Sequence, residues 1–108
     1  MEITKADWKL FRSRIADWQE AYMKKLIKDY VELLNGEGAA SDKFWELEKR
    51  IKNDKRNPGV LIEPHKQDVP YDLVQLINLG VITVDDLEGF SEDLKGAVNY
   101  LVSRNDMR

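Results

Sequence analysis

The chain has 108 residues, of which 43% are hydrophobic and 34% are charged, and its formal net charge at pH 7 is -3. This composition excludes an intrinsically disordered chain, because it offers enough apolar surface to build a modest core. The chain has no cysteine, which excludes disulfides, thiolate zinc sites and a cysteine nucleophile.

The apolar runs of the chain are too short for a secreted or membrane protein. The first residues, Met1 to Lys5, contain no apolar stretch of signal-peptide length. No run elsewhere approaches the roughly 20 apolar residues that cross a bilayer. We therefore expect a cytoplasmic protein that has no membrane partner.

The strongest pattern in the sequence predicts one long N-terminal helix over about residues 5–35. Thr4 and Asp7 have the spacing of a capping box, and the next helix breaker is Gly36. Between these positions apolar side chains recur every three or four residues. They are Trp8, Phe11, Ile15, Trp18, Tyr22, Leu26 and Leu33.

The two halves of this helix differ in the width of their apolar face. From Tyr22 onward a second row lies beside the first and consists of Met23, Ile27, Tyr30 and Leu34. A wide face is typical of a helix that is covered on both sides. We therefore expect the second half to form the centre of the core, and the narrow aromatic first half to be open to a partner.

Further helices are predicted after the glycine-rich break at residues 36–38. Ser41 is a suitable N-cap for a second helix over about 42–55, whose inner face carries Phe44, Leu47 and Ile51. Residues 57–69 are predicted to form an extended strap. Three short C-terminal helices are predicted by Pro70 before Tyr71–Leu79, by Thr83 and by Ser91, and a frayed tail by residues 103–108. The expected fold is an all-α bundle of about five helices in a single domain, residues 1–108.

Trp45 and the basic residues after it are the candidate binding residues of the second helix. On a helical wheel Trp45 lies away from the inner face, so we expect it to be partly exposed. Aromatic side chains beside basic ones anchor protein interfaces and also stack on nucleic-acid bases. The basic cluster, Lys49, Lys52, Lys55 and Arg56, either contacts phosphates or compensates the negative end of the helix dipole.

The sequence shows no catalytic or metal-binding motif. A nucleophile elbow, a phosphate-binding glycine loop and a His-Glu-x-x-His helix are all absent. The carboxylates around Asp85 and Asp86 are interpreted as first-turn residues that stabilise helix N-termini through the dipole, and His65 as a solvated loop residue. We expect a protein that is not an enzyme, with no catalytic residue, no metal, no cofactor and no small-molecule ligand.

Three segments carry a resemblance: Trp8–Phe11, Phe44–Ile51 and Gly80–Leu87. They resemble segments of short uncharacterised helical proteins from Gram-positive, Firmicutes-type bacteria and their mobile elements. The resemblance spans most of the chain and implies no activity and no functional residues.

The leading hypothesis is a helical protein-protein interaction module, which would act as an adaptor, a regulator or an inhibitor. Its candidate partner-binding residues are Trp8, Phe11, Ile15, Trp18 and Trp45, and its simplest partner is a second copy packed along the long helix. One alternative is a nucleic-acid-binding accessory factor that uses Lys49, Lys52, Lys55 and Arg56. Another is an acidic inhibitor that mimics nucleic acid, because residues 57–108 hold 9 acidic and 4 basic side chains while residues 1–56 hold 11 and 13.

Overall fold

The computed structural model describes residues 1–106, and these residues form helices and connecting loops without a β-strand. Four α-helices follow one another: α1 (Lys5–Asn35), α2 (Ala40–Asp54), α3 (Val69–Asn78) and α4 (Glu92–Asp106). Two short 3-10 helices occupy Lys66–Asp68 and Val84–Leu87. The all-α class and the long N-terminal helix are confirmed. The predicted number of five helices is wrong, because the segment capped by Thr83 forms a single 3-10 turn.

The helix ends follow local capping chemistry at some positions and not at others. Thr4 Oγ1 accepts a hydrogen bond from the Asp7 backbone N–H at 3.0 Å, which starts α1 as predicted. The predicted cap of α2 at Ser41 is wrong, since the helix begins earlier and its N-cap residue is Ala39, which has no capping side chain. The strap prediction fails at both ends, because residues 57–60 form a turn, Lys66–Asp68 is helical and α3 begins at Val69.

The last helix begins where the sequence predicts. Ser91 Oγ accepts a hydrogen bond from the Leu94 N–H at 3.3 Å and thereby caps α4. The helix then continues to Asp106. The prediction of a frayed tail is therefore wrong for residues 103–106, and residues 107–108 lie outside the described part of the chain.

The hydrophobic core lies at one end of the molecule, between the first half of α1 and the C-terminal half of the chain. Nine of its twelve buried residues come from residues 69–98. The remaining three are Ile3, Phe11 and Ile15. The expectation that the second half of α1 forms the core centre is wrong, because α3, the 3-10 turn and α4 all pack on the first half.

The second half of α1 packs against α2 as an antiparallel helical hairpin. The Tyr30 hydroxyl donates to the Asp54 carboxylate, and Asn57 Nδ2 donates to the Tyr22 hydroxyl at 2.9 Å. Near the tip, Lys43 Nζ donates to the Leu34 carbonyl at 3.1 Å. No α2 residue is buried. With principal extents of 52 × 31 × 20 Å, the molecule is elongated, and the hairpin projects from the core.

A candidate protein-binding face on the helical hairpin

The structure assigns most of the predicted partner-binding residues to the core. Phe11 is fully buried and Ile15 is 8% exposed. Trp8 and Trp18 are half-buried against the same cluster, each with its ring centroid 6.4 Å from that of Phe11. The prediction that this half of α1 is open to a partner is therefore wrong. Its narrow aromatic stripe is covered by α3, α4 and the loops between them.

Trp45 lies apart from those four residues, on the hairpin. Its side chain is 63% exposed, which confirms the prediction of partial exposure. The ring meets that of Phe44 edge to face, with centroids 5.0 Å apart and an interplanar angle of 86°. Phe44 is itself 61% exposed. Two large aromatic side chains are thus presented to solvent near the tip of the hairpin.

An open apolar surface of the hairpin is formed jointly by α1 and α2. We call it the hairpin face and define it by Met23, Ile27, Phe44, Leu47 and Ile51. A groove of about 460 Å³ runs along α2, and Phe44, Leu47 and Ile51 form its apolar wall. A second groove, of about 260 Å³, lies between α1 and α2 and has Met23, Ile27 and again Ile51 in its wall.

A third groove extends the hairpin face along α1 toward the core. It has a volume of about 530 Å³ and shares Met23 and Ile27 with the second groove. The three grooves therefore adjoin, and a single apolar path leads from Phe44 across Ile51 and Ile27 to Ala21.

The face is open because the apolar stripe of α1 is wider than α2 can cover. Leu26 and Leu33 are half-buried on the side that α2 approaches. The other edge of the same stripe remains exposed, with Ile27 at 58%. Val31 and Leu34 are also exposed along that edge. Contiguous apolar surface of this kind on a folded chain marks an interaction site more often than an isolated exposed side chain does.

Charged side chains of opposite predominant sign border the two ends of the path. Along α2 the groove is bordered by Lys52, Lys55 and Glu48, that is, by two lysines and one carboxylate. Along α1 the border consists of Asp17, Glu20 and Lys24, that is, of two carboxylates and one lysine. All six side chains are at the surface. The face is therefore an apolar strip with a basic rim on α2 and an acidic rim on α1.

The Tyr30–Asp54 hydrogen bond fixes the hairpin beneath this face. Burial, the hydrogen bond to Asp54 and the charge of that carboxylate raise the pKa of Tyr30 to about 12. The Tyr30 hydroxyl therefore stays protonated at neutral pH and donates a hydrogen bond to the Asp54 carboxylate. The floor of the groove is consequently held by a half-buried polar contact as well as by apolar packing.

The basic cluster forms a second surface on the outer side of α2. Trp45, Lys49 and Lys52 follow at spacings of four and three residues, so they share one stripe of the helix. Arg56 follows in the turn after α2, and all four residues are exposed. Lys55 lies off this stripe and lines two grooves of the hairpin face, the first of which Lys52 also borders. The structure thus places Trp45 on one helical stripe with Lys49 and Lys52, and Arg56 just beyond the end of that helix.

The acidic segment after α3 is held by backbone contacts. Thr83 is the N-cap of the 3-10 turn, as predicted, and the Asp86 carboxylate accepts from the Thr83 N–H at 2.7 Å to form a capping box. Arg14 Nη1 donates to the carbonyl oxygens of Asp86 and Glu88. Its guanidinium also lies 5.4 Å from the ring centroid of Phe90. These contacts give the segment a structural role in closing the core.

The described residues form no metal site, and comparison with known proteins gives no match. In residues 1–106 no three or more His, Asp or Glu side chains are grouped so as to hold a metal ion. No helix in that range is long and apolar enough to cross a membrane. Comparison of the chain with protein families, curated proteins and solved structures gives no match.

Sequence reasoning missed the hairpin face because its residues have the pattern of core residues. Phe44, Leu47 and Ile51 are spaced as the inner face of α2, and Met23 and Ile27 as the second row of α1. One available signal was the length of α1, since a helix of 31 residues is roughly 46 Å long and exceeds the width of a small core. The excess had to lie outside the core, and α2 has few apolar residues with which to cover it.

Proposed function

We propose that the protein is a non-enzymatic interaction module of the cytoplasm, an adaptor, regulator or inhibitor that binds another protein through the hairpin face. The observation that supports this most directly is the continuous apolar path from Phe44 to Ala21. Burial of apolar surface contributes about 25 cal/mol per Å², so covering this path provides a driving force for association. The charged rims on either side supply orientation.

Phe44 is the expected anchor of the interface. Binding energy at protein interfaces is concentrated in a few large side chains that become fully buried and are surrounded by a polar rim. Phe44 is exposed, is braced by the Trp45 ring and lies at the end of the α2 groove. Trp45 lies beside it, on the outer stripe of the helix. A partner that reaches the tip of the hairpin would cover both rings.

Site-specific photo-crosslinking tests this proposal. A photoreactive amino acid at Phe44 should give a discrete protein adduct on irradiation in cells. The matched control is the same amino acid at Lys25, which is exposed on the polar side of α1 and lines none of the three grooves. Absence of adducts at Phe44, or equal adducts at both positions, would contradict the proposal. Mass spectrometry of the adduct identifies the partner.

The Trp45 stripe favours nucleic-acid binding as a second candidate function. An exposed indole beside cations can stack on a base while the cations contact phosphates. Lys49 lies one helical turn from Trp45 and Arg56 follows in the turn after α2, and neither residue lines the hairpin face. The double substitution Lys49→Glu/Arg56→Glu should abolish a mobility shift of single-stranded oligonucleotides at low salt. The control Lys25→Glu/Lys28→Glu changes net charge equally and should leave the shift intact. Wild-type protein that gives no shift at low salt excludes this function.

A further inference from the structure

We infer that the partner which the hairpin face receives is a second copy of this chain, packed face to face into an isologous four-helix assembly. This inference rests on the proposed function and specifies its partner. It differs from self-association along the aromatic half of α1, because that half is buried in the core. The surface available for self-association is the opposite end of the helix.

The charge arrangement of the face is self-complementary. In a two-fold symmetric contact, if surface A of one copy meets surface B of the other, then surface B of the first copy also meets surface A of the second. Here surface A is the basic rim with Lys52 and Lys55, and surface B is the acidic rim with Asp17 and Glu20. A two-fold axis near the shared groove places each basic rim against the acidic rim of the other copy.

The minority charges of the rims fit the same arrangement. Glu48 stands in the basic rim and Lys24 in the acidic rim. When the rims of two copies meet, Glu48 of one copy faces the rim that contains Lys24 of the other. Each rim therefore carries charges opposite in sign to those of the rim that it meets. A contact between like rims would instead place Lys52 and Lys55 of one copy against the same lysines of the other, which is repulsive.

The apolar path is also suited to this partner. Two antiparallel helices that expose a common apolar side need two more helices to complete a bundle, which is the usual way such stripes are buried. A second hairpin supplies two helices of matching length with the same exposed Ile27, Phe44 and Ile51. The contact then buries both faces at once and leaves the two cores at the periphery.

Light scattering coupled to size-exclusion chromatography tests this inference with complementary charge variants. Wild-type protein at micromolar concentration should have twice the mass of one chain. Two variants place like charges against each other, Lys52→Glu/Lys55→Glu and Asp17→Lys/Glu20→Lys. The dissociation constant of each variant dimer should be about 10- to 100-fold larger than that of the wild-type dimer. An equimolar mixture of the two variants should regain the dimer mass, because both contacts are then between opposite charges.

A control variant and a check of folding accompany the charge variants. Lys25→Glu/Lys28→Glu should remain dimeric, and circular dichroism should show native helix content for every variant, since all substituted side chains are at the surface. A monomeric wild type, or variants that stay monomeric when mixed, would overturn the inference. If the wild type is monomeric and the Phe44 crosslink captures a different protein, the interaction module stands and self-association falls. If no crosslink forms either, both fall.

Discussion

Asp7 is a buried carboxylate that joins the start of α1 to the start of α4. It is 4% exposed, and its two oxygens accept hydrogen bonds from the Ser91 N–H at 2.9 Å and the Ser91 hydroxyl at 2.6 Å. A carboxylate at this position also faces the positive end of the α4 dipole. One side chain therefore satisfies the cap of a helix more than 80 residues away in sequence.

Removal of this carboxylate should destabilise the protein strongly. Asp7→Ala deletes both acceptors and leaves the Ser91 N–H unsatisfied, so we expect a loss of roughly 2–4 kcal/mol in the free energy of unfolding. Urea denaturation followed by circular dichroism measures this loss. Asp7→Asn keeps one acceptor and should lose about half as much. Glu37→Ala removes an exposed carboxylate from the loop before α2 and should change stability by less than about 0.5 kcal/mol, and a larger effect there would contradict the explanation.

Asp72 is a carboxylate without a compensating partner. Its Oδ2 atom is buried and receives no hydrogen bond within the described part of the chain. Burial, with a smaller contribution from the charge of Asp68, raises the pKa of Asp72 from 3.8 to about 6, and His65 partly opposes this rise. The folded state therefore binds a proton more tightly than the unfolded chain does.

This raised pKa predicts a specific pH dependence. Between about pH 4 and pH 6 the folded state holds more protons on Asp72 than the unfolded state, so its contribution to stability decreases as the pH rises. Asp72→Asn should therefore be more stable than wild type at pH 7 and indistinguishable from it near pH 4. Urea denaturation of both proteins at the two pH values measures the difference. A variant that is less stable than wild type at pH 7 would show that the carboxylate is satisfied.

Asp7 also shows what sequence can and cannot predict for a single residue. Its spacing from Thr4 correctly predicts the N-terminus of α1, and the Thr4 side chain accepts from Asp7 as expected. The pattern also predicts that the carboxylate turns back to its own helix end. It binds Ser91 instead, since that contact depends on the tertiary arrangement, which helical spacing does not encode.

At the scale of elements, the turn after α2 is the joint between hairpin and core. Gly59 is buried there, and a Cβ atom added to it would lie 2.6 Å from Val81 Cγ2 and 2.7 Å from Tyr22 Cδ2. Its N–H donates to Asn57 Oδ1 at 2.7 Å. The backbone at Gly59 therefore packs closely between α1 and the loop after α3. Glycine is required there because any larger residue would clash with Tyr22 and Val81.

Two glycine substitutions should consequently have opposite effects. Gly59→Ala forces Tyr22 and Val81 apart, so we expect a loss of about 1–3 kcal/mol in stability. Gly96→Ala places a methyl group on α4 where no atom lies within 4 Å apart from the adjoining residues and backbone of that helix, so we expect a gain of about 0.5–1 kcal/mol from helix propensity. Thermal unfolding of the two variants checks both signs. A neutral Gly59→Ala would show that the joint is loosely packed.

Element boundaries are predictable where a residue type dictates them, and packing partners are not. Gly36 ends α1 and Ser91 begins α4, because glycine and serine act on the backbone locally. The periodicity of α1 places Phe11 and Ile27 on apolar stripes but contains no information on what covers each stripe. The structure buries Phe11 and leaves Ile27 exposed, the reverse of the expectation, because the strongly apolar α3 packs on the first half of α1.

At the scale of the whole molecule, stability is expected to differ between its two ends. Among the residues whose burial is described, the core end holds all twelve buried hydrophobic ones, whereas α2 has none and is held by a few polar contacts and half-buried side chains. Local opening requires little free energy where few apolar contacts are lost. Native-state hydrogen exchange should therefore show α2 amides opening at lower free energy than those of α3 and α4.

The concentration dependence of this exchange connects stability to function. If two hairpins cover each other, α2 can open only after the dimer dissociates. The free energy of opening of α2 then includes the free energy of dimerisation, which depends on protein concentration. Protection of α2 should then rise with protein concentration, because opening of α2 breaks the contact, while local openings confined to α4 leave the contact intact and should not depend on concentration. Lys52→Glu/Lys55→Glu should remove the rise without altering α4. Protection of α2 that equals that of α4 at the lowest concentration would contradict a weakly held hairpin, since α2 would then be stable without a partner.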